Sequence, residues 1–192
     1  MHCFRNVLMG FCILGIFTLT NAHASFLIEP HLGYNISGGT ASYLGSKYDY
    51  SGAQVGARLG MQSFGLMGGL DYTHAGFDLK QTNLTSQASA TTPATQEEIG
   101  VFLGYNAPLL LRAWLGYYFS TKMTFSNTIT SYFKGTTTEI GVGFTPLPLI
   151  SLNVVYRMVS FDKGHTAAAG DYTIAYAPKE IVLGVSVPFN LL

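Results

Sequence analysis

Nine ionisable side chains interrupt segments that are otherwise apolar, and their types could do chemistry. They are five carboxylates, three guanidiniums and one imidazole: Glu29, Asp71, Glu98, Glu139, Glu180, Arg58, Arg112, Arg157 and His31. Because an unpaired buried charge is costly, such groups can neutralise one another in a buried ion network. They can instead line a narrow path for a small solute, and the excess of acids would then favour cations. The residues alone leave both interpretations open.

The other histidines do not stand in a catalytic pattern. Nucleophilic catalysis needs an activating group such as histidine beside the nucleophile. His74 lies in DYTHAGFD and His165 in FDKGHTAAAGD, with no Ser-His-Asp or His-x-Ser arrangement around either. The scattered histidines and the absence of calcium-loop spacing indicate no metal site. We therefore expect no enzyme activity, no metal and no cofactor.

The composition indicates that much of the surface does not face water. Hydrophobic residues make up 48% of the 192 residues and charged residues only 10%, against about 25% charged in an average soluble domain. Aromatic residues reach 14%, and there are 22 glycines. Without Arg5, nine basic residues stand against ten acidic ones. This balance provides no basic field for nucleic acid, so no nucleic-acid partner is expected.

Residues 1–24 are predicted to be a cleaved secretory signal, and residues 25–192 the mature domain. Arg5 supplies the positive start, residues 7–19 form an uncharged apolar run, and Ala22-His23-Ala24 has the small-x-small cleavage pattern. A retained membrane anchor is the alternative, but the run is short for a span of about 20 residues. Both cysteines, Cys3 and Cys12, fall in this leader. The mature chain therefore has no disulfide and no thiol chemistry.

The mature chain alternates in hydrophobicity with a period of two, which predicts strands rather than helices. Eight strands are predicted at about 26–36, 50–62, 66–78, 96–106, 110–122, 135–145, 149–161 and 179–190. The connections alternate between short turns and long polar segments at 37–49, 79–95, 123–134 and 162–178. The stretch 81–96 is rich in Ser, Thr, Ala and Gln and is interpreted as a mobile loop. Ligand recognition by loop tyrosines such as Tyr43, Tyr48, Tyr50 and Tyr132 stays open.

Each predicted strand has one apolar face and one face with glycine, small polar residues and at least one charge. In the predicted strand 110–122, for example, Leu111, Leu115 and Phe119 oppose Arg112, Tyr118 and Ser120. Glycine-rich polar faces suit a narrow interior in which backbones approach closely. Six aromatic residues lie on the apolar faces near strand ends, as interfacial belts do: Tyr34, Tyr72, Tyr105, Tyr117, Tyr156 and Phe189.

A spanning sheet must close on itself, and these matched, alternating strands of even number predict an all-β fold: an eight-stranded antiparallel up-and-down transmembrane β-barrel. The nine ionisable residues would then face its lumen. Glu139 and Arg157 lie at similar distances from the turn at Pro146-Leu147-Pro148 and are predicted to form a buried pair.

Over residues 26–190 the chain resembles the OmpA/OmpX-type small outer-membrane β-barrels, of the outer-membrane β-barrel domain family. Its last segment, VLGVSVPFNLL, is similar to the family's C-terminal assembly signal, with Gly184, Val187 and Phe189 at the glycine, hydrophobic and aromatic places. Leu192 replaces the usual terminal aromatic residue, and Val182 a polar one. The resemblance implies a bacterial outer-membrane location and insertion by the β-barrel assembly machinery.

The expected function is that of an integral barrel protein with a plugged, charge-paired lumen and a structural or surface-interaction role. The expected partners are outer-membrane lipids and lipopolysaccharide, and a monomer is expected. A narrow small-solute pore is the alternative. A lipid-modifying outer-membrane enzyme, of which the family has examples, is a further alternative that would depend on His74 or His165.

Overall fold

A computed structural model describes residues 24–43, 45–108, 110–126, 131–147 and 149–191, and within them every regular element is a β-strand. The predicted leader lies outside the described residues except for Ala24. No helix in the described ranges is long and apolar enough to cross a membrane. The strands are β1 (Ser25–Tyr43), β2 (Ser46–Ser63), β3 (Leu66–Asn83), β4 (Ser89–Asn106), β5 (Leu111–Phe125), β6 (Tyr132–Leu147), β7 (Ile150–Thr166), β8 (Gly170–Tyr176), β9 (Lys179–Ser186) and β10 (Phe189–Leu191).

The strands form a closed antiparallel ring with eight strand positions around it, which we call staves. Each strand from β1 to β7 pairs with the next, and β9 closes the ring by pairing with both β7 and β1. β8, β9 and β10 together make the eighth stave, which breaks at Pro178 and Pro188 because proline cannot donate a ladder hydrogen bond. The Val187 amide still donates to the Pro30 carbonyl oxygen at 3.0 Å across the second break. The predicted eight-stranded up-and-down barrel is confirmed.

An apolar band surrounds the ring. On β7, for example, every second side chain from Ile150 to Met158 is exposed, and every intervening one is buried. On the other staves, buried inward-facing and exposed outward-facing side chains also alternate over the corresponding residues. A soluble protein rarely exposes an apolar patch larger than a few hundred Å², whereas a continuous belt on a closed ring is what hydrocarbon requires. The band therefore marks the membrane-spanning part.

The six predicted belt residues all lie exposed on the outer surface, between 37% and 51%. Four tyrosines, one on each odd-numbered strand from β1 to β7, mark one edge of the band: Tyr34, Tyr72, Tyr117 and Tyr156. Tyr105 and Phe189 mark the other edge. We call this second edge the terminal end, because Ser25 and Leu191 also lie there, and the opposite edge the distal end.

The strands continue well past the distal edge of the band, which corrects the predicted connections. A tilted span needs roughly 9–11 residues, but β2, β3 and β4 each contain 18. The predicted long polar connections are mostly paired strand, and the supposed mobile loop at 81–96 narrows to a turn between Asn83 and Ser89. Threonine-rich polar segments suit a strand that has water on its outer side. Tyr48 and Tyr50 lie within β2 and Tyr132 within β6, rather than in loops; the side chain of Tyr43 lies outside the described residues.

We call the strand segments beyond the distal tyrosines the distal extension. Here apolar side chains face inward and charged side chains face outward, which is the reverse of the membrane-spanning part. In β3, Phe77 and Leu79 point inward and are buried, whereas Asp78 and Lys80 point outward and are exposed. Eleven charged residues lie on the outer face of the distal extension, including all six lysines of the chain: Lys47, Asp49, Asp78, Lys80, Glu97, Lys122, Lys134, Asp162, Lys163, Asp171 and Lys179.

Inside the distal extension is a group of packed apolar side chains, which we call the upper apolar cluster. Its buried members are Tyr50, Ala75, Phe77, Leu79, Ala94, Met123, Val159, Phe161, Ile174 and Tyr176. The rings of Phe161 and Tyr176 stack with centroids 5.8 Å apart, and those of Tyr50 and Phe77 with centroids 4.7 Å apart. Burial in this cluster raises the pKa of the Tyr176 hydroxyl above its ordinary value.

A β-bulge in β5 changes one predicted orientation. Ile99 pairs with Ser120 but the next residue, Gly100, pairs with Tyr118, which leaves Phe119 as the extra residue. Because a bulge shifts the alternation by one position, Ser120 is exposed and Thr121 is buried. The prediction that Ser120 faces the interior was wrong for this reason.

Candidate functional site: the lumen charge network

The structure places all nine predicted ionisable residues inside the barrel, where each is at most 8% exposed. We call this set the lumen charge network: Glu29, His31, Arg58, Asp71, Glu98, Arg112, Glu139, Arg157 and Glu180. All lie on inward-facing strand positions, from the terminal end of the membrane-spanning part to one residue beyond the distal tyrosines. The three arginines of the described chain are here, whereas the six lysines are outside. This separation suits the planar guanidinium, which pairs with carboxylates in a buried site better than an ammonium does.

The network begins near the terminal end with Arg112. Its Nη2 donates to Glu29 Oε2 at 2.6 Å and to the Met67 sulfur at 3.3 Å. Glu29 also lies 3.5 Å from Nη1 of Arg58, measured from its Oε1. Glu29 thus joins two guanidiniums that come from strands on different sides of the lumen.

Arg58 lies at the centre and contacts two further carboxylates. Its Nε donates to Asp71 Oδ2 at 2.8 Å and its Nη2 to Glu139 Oε1 at 3.2 Å. Its guanidinium carbon lies 4.3 Å from the centre of the Trp114 ring, a cation–π distance. Arg58 is therefore held by charge, by hydrogen bonds and by an aromatic face.

Neutral donors complete the coordination of the central carboxylates. The Tyr118 hydroxyl lies 2.9 Å from Asp71 Oδ2 and 3.1 Å from Glu139 Oε2. Trp114 Nε1 donates to Glu139 Oε1 at 2.8 Å. His31 Nε2 lies 3.2 Å from Asp71 Oδ1.

Arg157 connects the distal half of the network. Its Nη1 donates to Glu180 Oε2 at 2.8 Å, and its Nη2 donates to Glu98. Glu98 also accepts from Thr121 and Thr137, at 3.1 and 2.7 Å. The predicted Glu139–Arg157 pair is directly opposed across β6 and β7. Its closest approach is 3.6 Å between Arg157 Nε and Glu139 Oε2, so the main hydrogen bonds of Arg157 go elsewhere.

These contacts form a continuous ladder along the lumen. Arginine and carboxylate alternate from Arg112 through Glu29 and Arg58, then Glu139 and Arg157, to Glu180. The last step is the Tyr50 hydroxyl, which donates to Glu180 Oε1 at 2.6 Å. Tyr50 also belongs to the upper apolar cluster, so the ladder ends where that cluster begins.

A second apolar group, the lower apolar cluster, packs inside the barrel around the terminal half of the ladder. Its members are Leu27, Met67, Phe102, Trp114, Val155 and Val182. Inward-facing glycines make room for this cluster and for the lumen charge network. A Cβ on Gly141 would overlap the ring of Trp114, and one on Gly116 would lie 2.6 Å from Cγ of Glu139. Glycine is therefore required at these positions by the size of the neighbouring side chains.

The lumen beside the network holds a cavity of about 20 Å³, lined by residues that include His31, Arg58, Tyr118 and Glu139. A cavity of this size holds roughly one water molecule. The arrangement can therefore fix charges in the lumen, but this cavity is too small for a substrate or a cofactor.

Several hydrogen-bond partners of the network were not identified as such from the sequence. Tyr118 was assigned to the polar face of its strand, but neither Tyr118 nor Trp114 was predicted as a partner of Glu139. Thr121 was hidden by the bulge, and Tyr50 was interpreted as a loop contact. The signal for these residues is that they occupy inward-facing positions in the alternation of their strand. That alternation can be assigned from the sequence only when the length of the strand and its bulges are known.

The assembly-signal residues fall around the second break of the eighth stave. Gly184 faces inward on β9, where an added Cβ would lie 2.6 Å from the Leu32 carbonyl oxygen. Val187 lies in the break before Pro188, and Phe189 begins β10 opposite Ile28. The terminal Leu192 lies outside the described residues.

The two histidines considered for catalysis lie on the outer face of the distal extension. His165 is the penultimate residue of β7, not a loop residue; its Nδ1 lies 2.6 Å from Asp171 Oδ1, and its ring stacks on Tyr132. His74 Nδ1 lies 3.7 Å from Glu97 Oε1. In the described part of the chain, neither imidazole is hydrogen bonded to a serine hydroxyl.

The sequence matches no protein-family profile and no curated protein. Solved structures are similar in fold. Neisserial surface protein A is 19% identical, with a TM-score of 0.53 over 87% of this chain and 99% of that one. Outer membrane protein OprG from Pseudomonas aeruginosa is 14% identical, with a TM-score of 0.50 over 88% of this chain and 97% of that one.

At these identities the likeness concerns the fold. The closed eight-stave ring, its apolar band and its aromatic edges give the fold of the small outer-membrane β-barrels, which confirms the predicted resemblance in fold to the OmpA/OmpX type. The chain is thus an integral protein of the bacterial outer membrane. In outer-membrane β-barrels the end with the short turns is periplasmic and the end with the longer connections is extracellular, so we expect the terminal end of this barrel to be periplasmic and the distal extension extracellular.

Proposed function

We propose that this barrel has a structural or surface-interaction role and that its lumen is plugged and does not conduct ions. The observation that supports the proposal is the filling of the lumen at successive levels. From the terminal to the distal end, the lower apolar cluster packs around the first half of the lumen charge network, the second half of the network follows, and the upper apolar cluster fills the distal end. An eight-stranded barrel is only just wide enough for its own side chains.

The alternative is a narrow path for small cations. Five carboxylates against three guanidiniums leave the network with an excess of acid, and carboxylates in a pore attract cations. Against this, each carboxylate of the network is engaged by at least one guanidinium within 4 Å. An ion would have to break these contacts and also pass two apolar clusters.

Single-channel recording in planar lipid bilayers tests the proposal. We expect the folded wild-type protein to give no steady unitary current. Neighbouring residues provide a matched pair of variants, because Glu98 is buried in the network and Glu97 is exposed on the outer face. A steady wild-type current whose cation preference is lost in Glu98→Gln but kept in Glu97→Gln would overturn the plugged lumen and favour the pore.

We also propose that the protein is not an enzyme and acts as a monomer, with the apolar band contacting outer-membrane lipids and lipopolysaccharide. Insertion by the β-barrel assembly machinery is part of the same proposal, supported by the closed barrel. The placement of His74 and His165, each beside a single carboxylate and without a bound serine hydroxyl in the described residues, argues against serine-type hydrolysis. Turnover of labelled lipid by the wild type, lost on replacing either histidine, would contradict it.

A further inference from the structure

Three lysines lie side by side on the outer face of the distal extension. Lys122 of β5 pairs in register with Lys134 of β6, and Lys134 pairs with Lys163 of β7. We call them the lysine row. Like charges directly opposite one another destabilise a sheet, so this arrangement costs free energy unless an anion or another group offsets it.

The lysine row is only partly compensated within the protein. Two ammonium groups rest on one aromatic ring, with Lys122 Nζ 5.1 Å and Lys134 Nζ 4.9 Å from the centre of Tyr132. No described carboxylate lies within 4 Å of any of the three ammonium groups. By contrast, Lys47 Nζ lies 2.9 Å from Asp49 Oδ2.

The acidic neighbours of the lysine row are few. Glu97 pairs in register with Lys122 on the side away from Lys134, and its carboxylate also lies near His74. Asp162 and Asp171 each line one of the two clefts beside the row, and Asp171 is already engaged by His165. The ammonium groups thus outnumber the carboxylates in each cleft.

Two clefts of about 300 and 320 Å³ open at the lysine row, and Lys134 and Lys163 line both. The first cleft is also lined by Lys122 and by Phe119. Phe119 is 54% exposed and lies at the distal edge of the apolar band. One cleft therefore presents an apolar side chain at hydrocarbon level and three cations just above it.

From this juxtaposition we propose that the lysine row binds the phosphorylated headgroup of a lipid in the outer leaflet, an inference that rests on the proposed contact of the barrel with outer-membrane lipids. The phosphate would lie on the three ammonium groups, and the acyl chains would descend past Phe119 along the apolar band. A soluble anion would use the cations but would not need an apolar contact at the membrane edge. Because the cleft combines three cations with an apolar contact at the membrane edge, it favours an amphiphilic ligand.

The probe is bis-phosphorylated lipid A, and the measurement is the fraction of folded protein that carries it in detergent micelles, by native mass spectrometry. The test variant is Lys122→Gln/Lys134→Gln/Lys163→Gln. The matched control is Lys47→Gln/Lys80→Gln/Lys179→Gln, which removes the same charge from the same surface elsewhere. A lysine near an anionic surface contributes enough that losing three should weaken binding roughly a hundredfold.

We expect the test variant to lose most lipid A binding, while the control triple variant and a triple arginine variant of the row retain it. Dephosphorylated lipid A should bind the wild type as weakly as lipid A binds the test variant. Both glutamine variants must first show folded mobility on unheated gels; if the test triple does not fold, Lys134→Gln against Lys80→Gln replaces it. Equal losses in test and control, or equal binding of dephosphorylated lipid A, would overturn the proposal. So would binding of a sulfated oligosaccharide through the row without binding of lipid A.

Discussion

Replacing Arg157 by methionine should destabilise the barrel more than any surface substitution. Arg157 is 1% exposed and lies within 4 Å of three carboxylates, those of Glu98, Glu139 and Glu180. Methionine keeps much of the side-chain volume but removes the charge and all donors. The three carboxylates would then share an interior that keeps only two guanidiniums, those of Arg58 and Arg112.

The expected loss follows from what the carboxylates retain. Removing one partner of a buried ion pair costs about 3–5 kcal/mol, because the other charge is left uncompensated. Glu98 would keep Thr121 and Thr137 as donors, and Glu180 would keep Tyr50. These donors limit the penalty, so we expect about 3–5 kcal/mol in total rather than that amount for each carboxylate.

The assay is reversible unfolding in denaturant from phospholipid vesicles. The chain has a single tryptophan, Trp114, and it is 2% exposed in the lumen, so its fluorescence reports unfolding without added labels. Lys80→Met, on the outer face, is the control and should change the free energy of unfolding by about 0.5 kcal/mol or less. The double variant Arg157→Met/Glu180→Gln should recover part of the loss, because it removes one uncompensated charge.

Acid provides a second check. At about pH 4 and below, carboxyl groups begin to protonate even without a neighbouring charge, and a neutral carboxyl group does not need a guanidinium. The penalty of Arg157→Met should therefore be largest at neutral pH and shrink as the pH falls. A loss below about 1 kcal/mol at neutral pH, or a loss independent of pH, would refute the argument that Arg157 compensates these carboxylates.

Two further substitutions test the packing inside the barrel. Gln96 is 1% exposed, and neither of its amide side-chain atoms has a partner among the described residues; Gln96→Met should therefore raise the free energy of unfolding by about 1 kcal/mol, and a loss of similar size in the same assay would contradict this. Gly141→Ala should cost about 1–3 kcal/mol, because its Cβ would overlap Trp114. Gly76→Ala is the control, since no atom lies within 4 Å of its Cβ position, and equal losses in the two would show that the tryptophan contact is unimportant.

The alternation of residues was enough to predict the ring and the inward position of every ionisable residue in the network. The alternation of inward and outward side chains along a strand depends only on neighbouring residues. In a membrane it is strict, because a charge on the lipid-facing side is costly. The same alternation placed Tyr72 and Tyr156 on the outer surface. The predicted faces failed only where a bulge shifted the count, as at Ser120.

The distal extension could not be predicted by that criterion. In β3 the apolar residues of the alternation face outward at Leu70 and Tyr72 but inward at Phe77 and Leu79. The sequence pattern therefore ends where the environment of the strand changes from lipid to water, although the strand continues. The ion partners were also beyond reach of the sequence. Arg58 of β2 meets Glu139 of β6, and Arg112 of β5 meets Glu29 of β1, across the lumen. Sequence order predicts neighbouring staves, but not how far side chains extend across the interior.

The reversed polarity of the distal extension has a consequence for biogenesis. On the proposed insertion route from the periplasm, the eleven outward charges of the distal extension must finish beyond the hydrocarbon layer. A lysine facing lipid at mid-bilayer costs about 2–4 kcal/mol, so the six lysines crossing bare lipid together would cost on the order of 10–25 kcal/mol. The outer faces of the hairpins must therefore be shielded from hydrocarbon while they cross. On the proposed route, translocation of these eleven charges, more than closure of the apolar band, is the step that requires assistance.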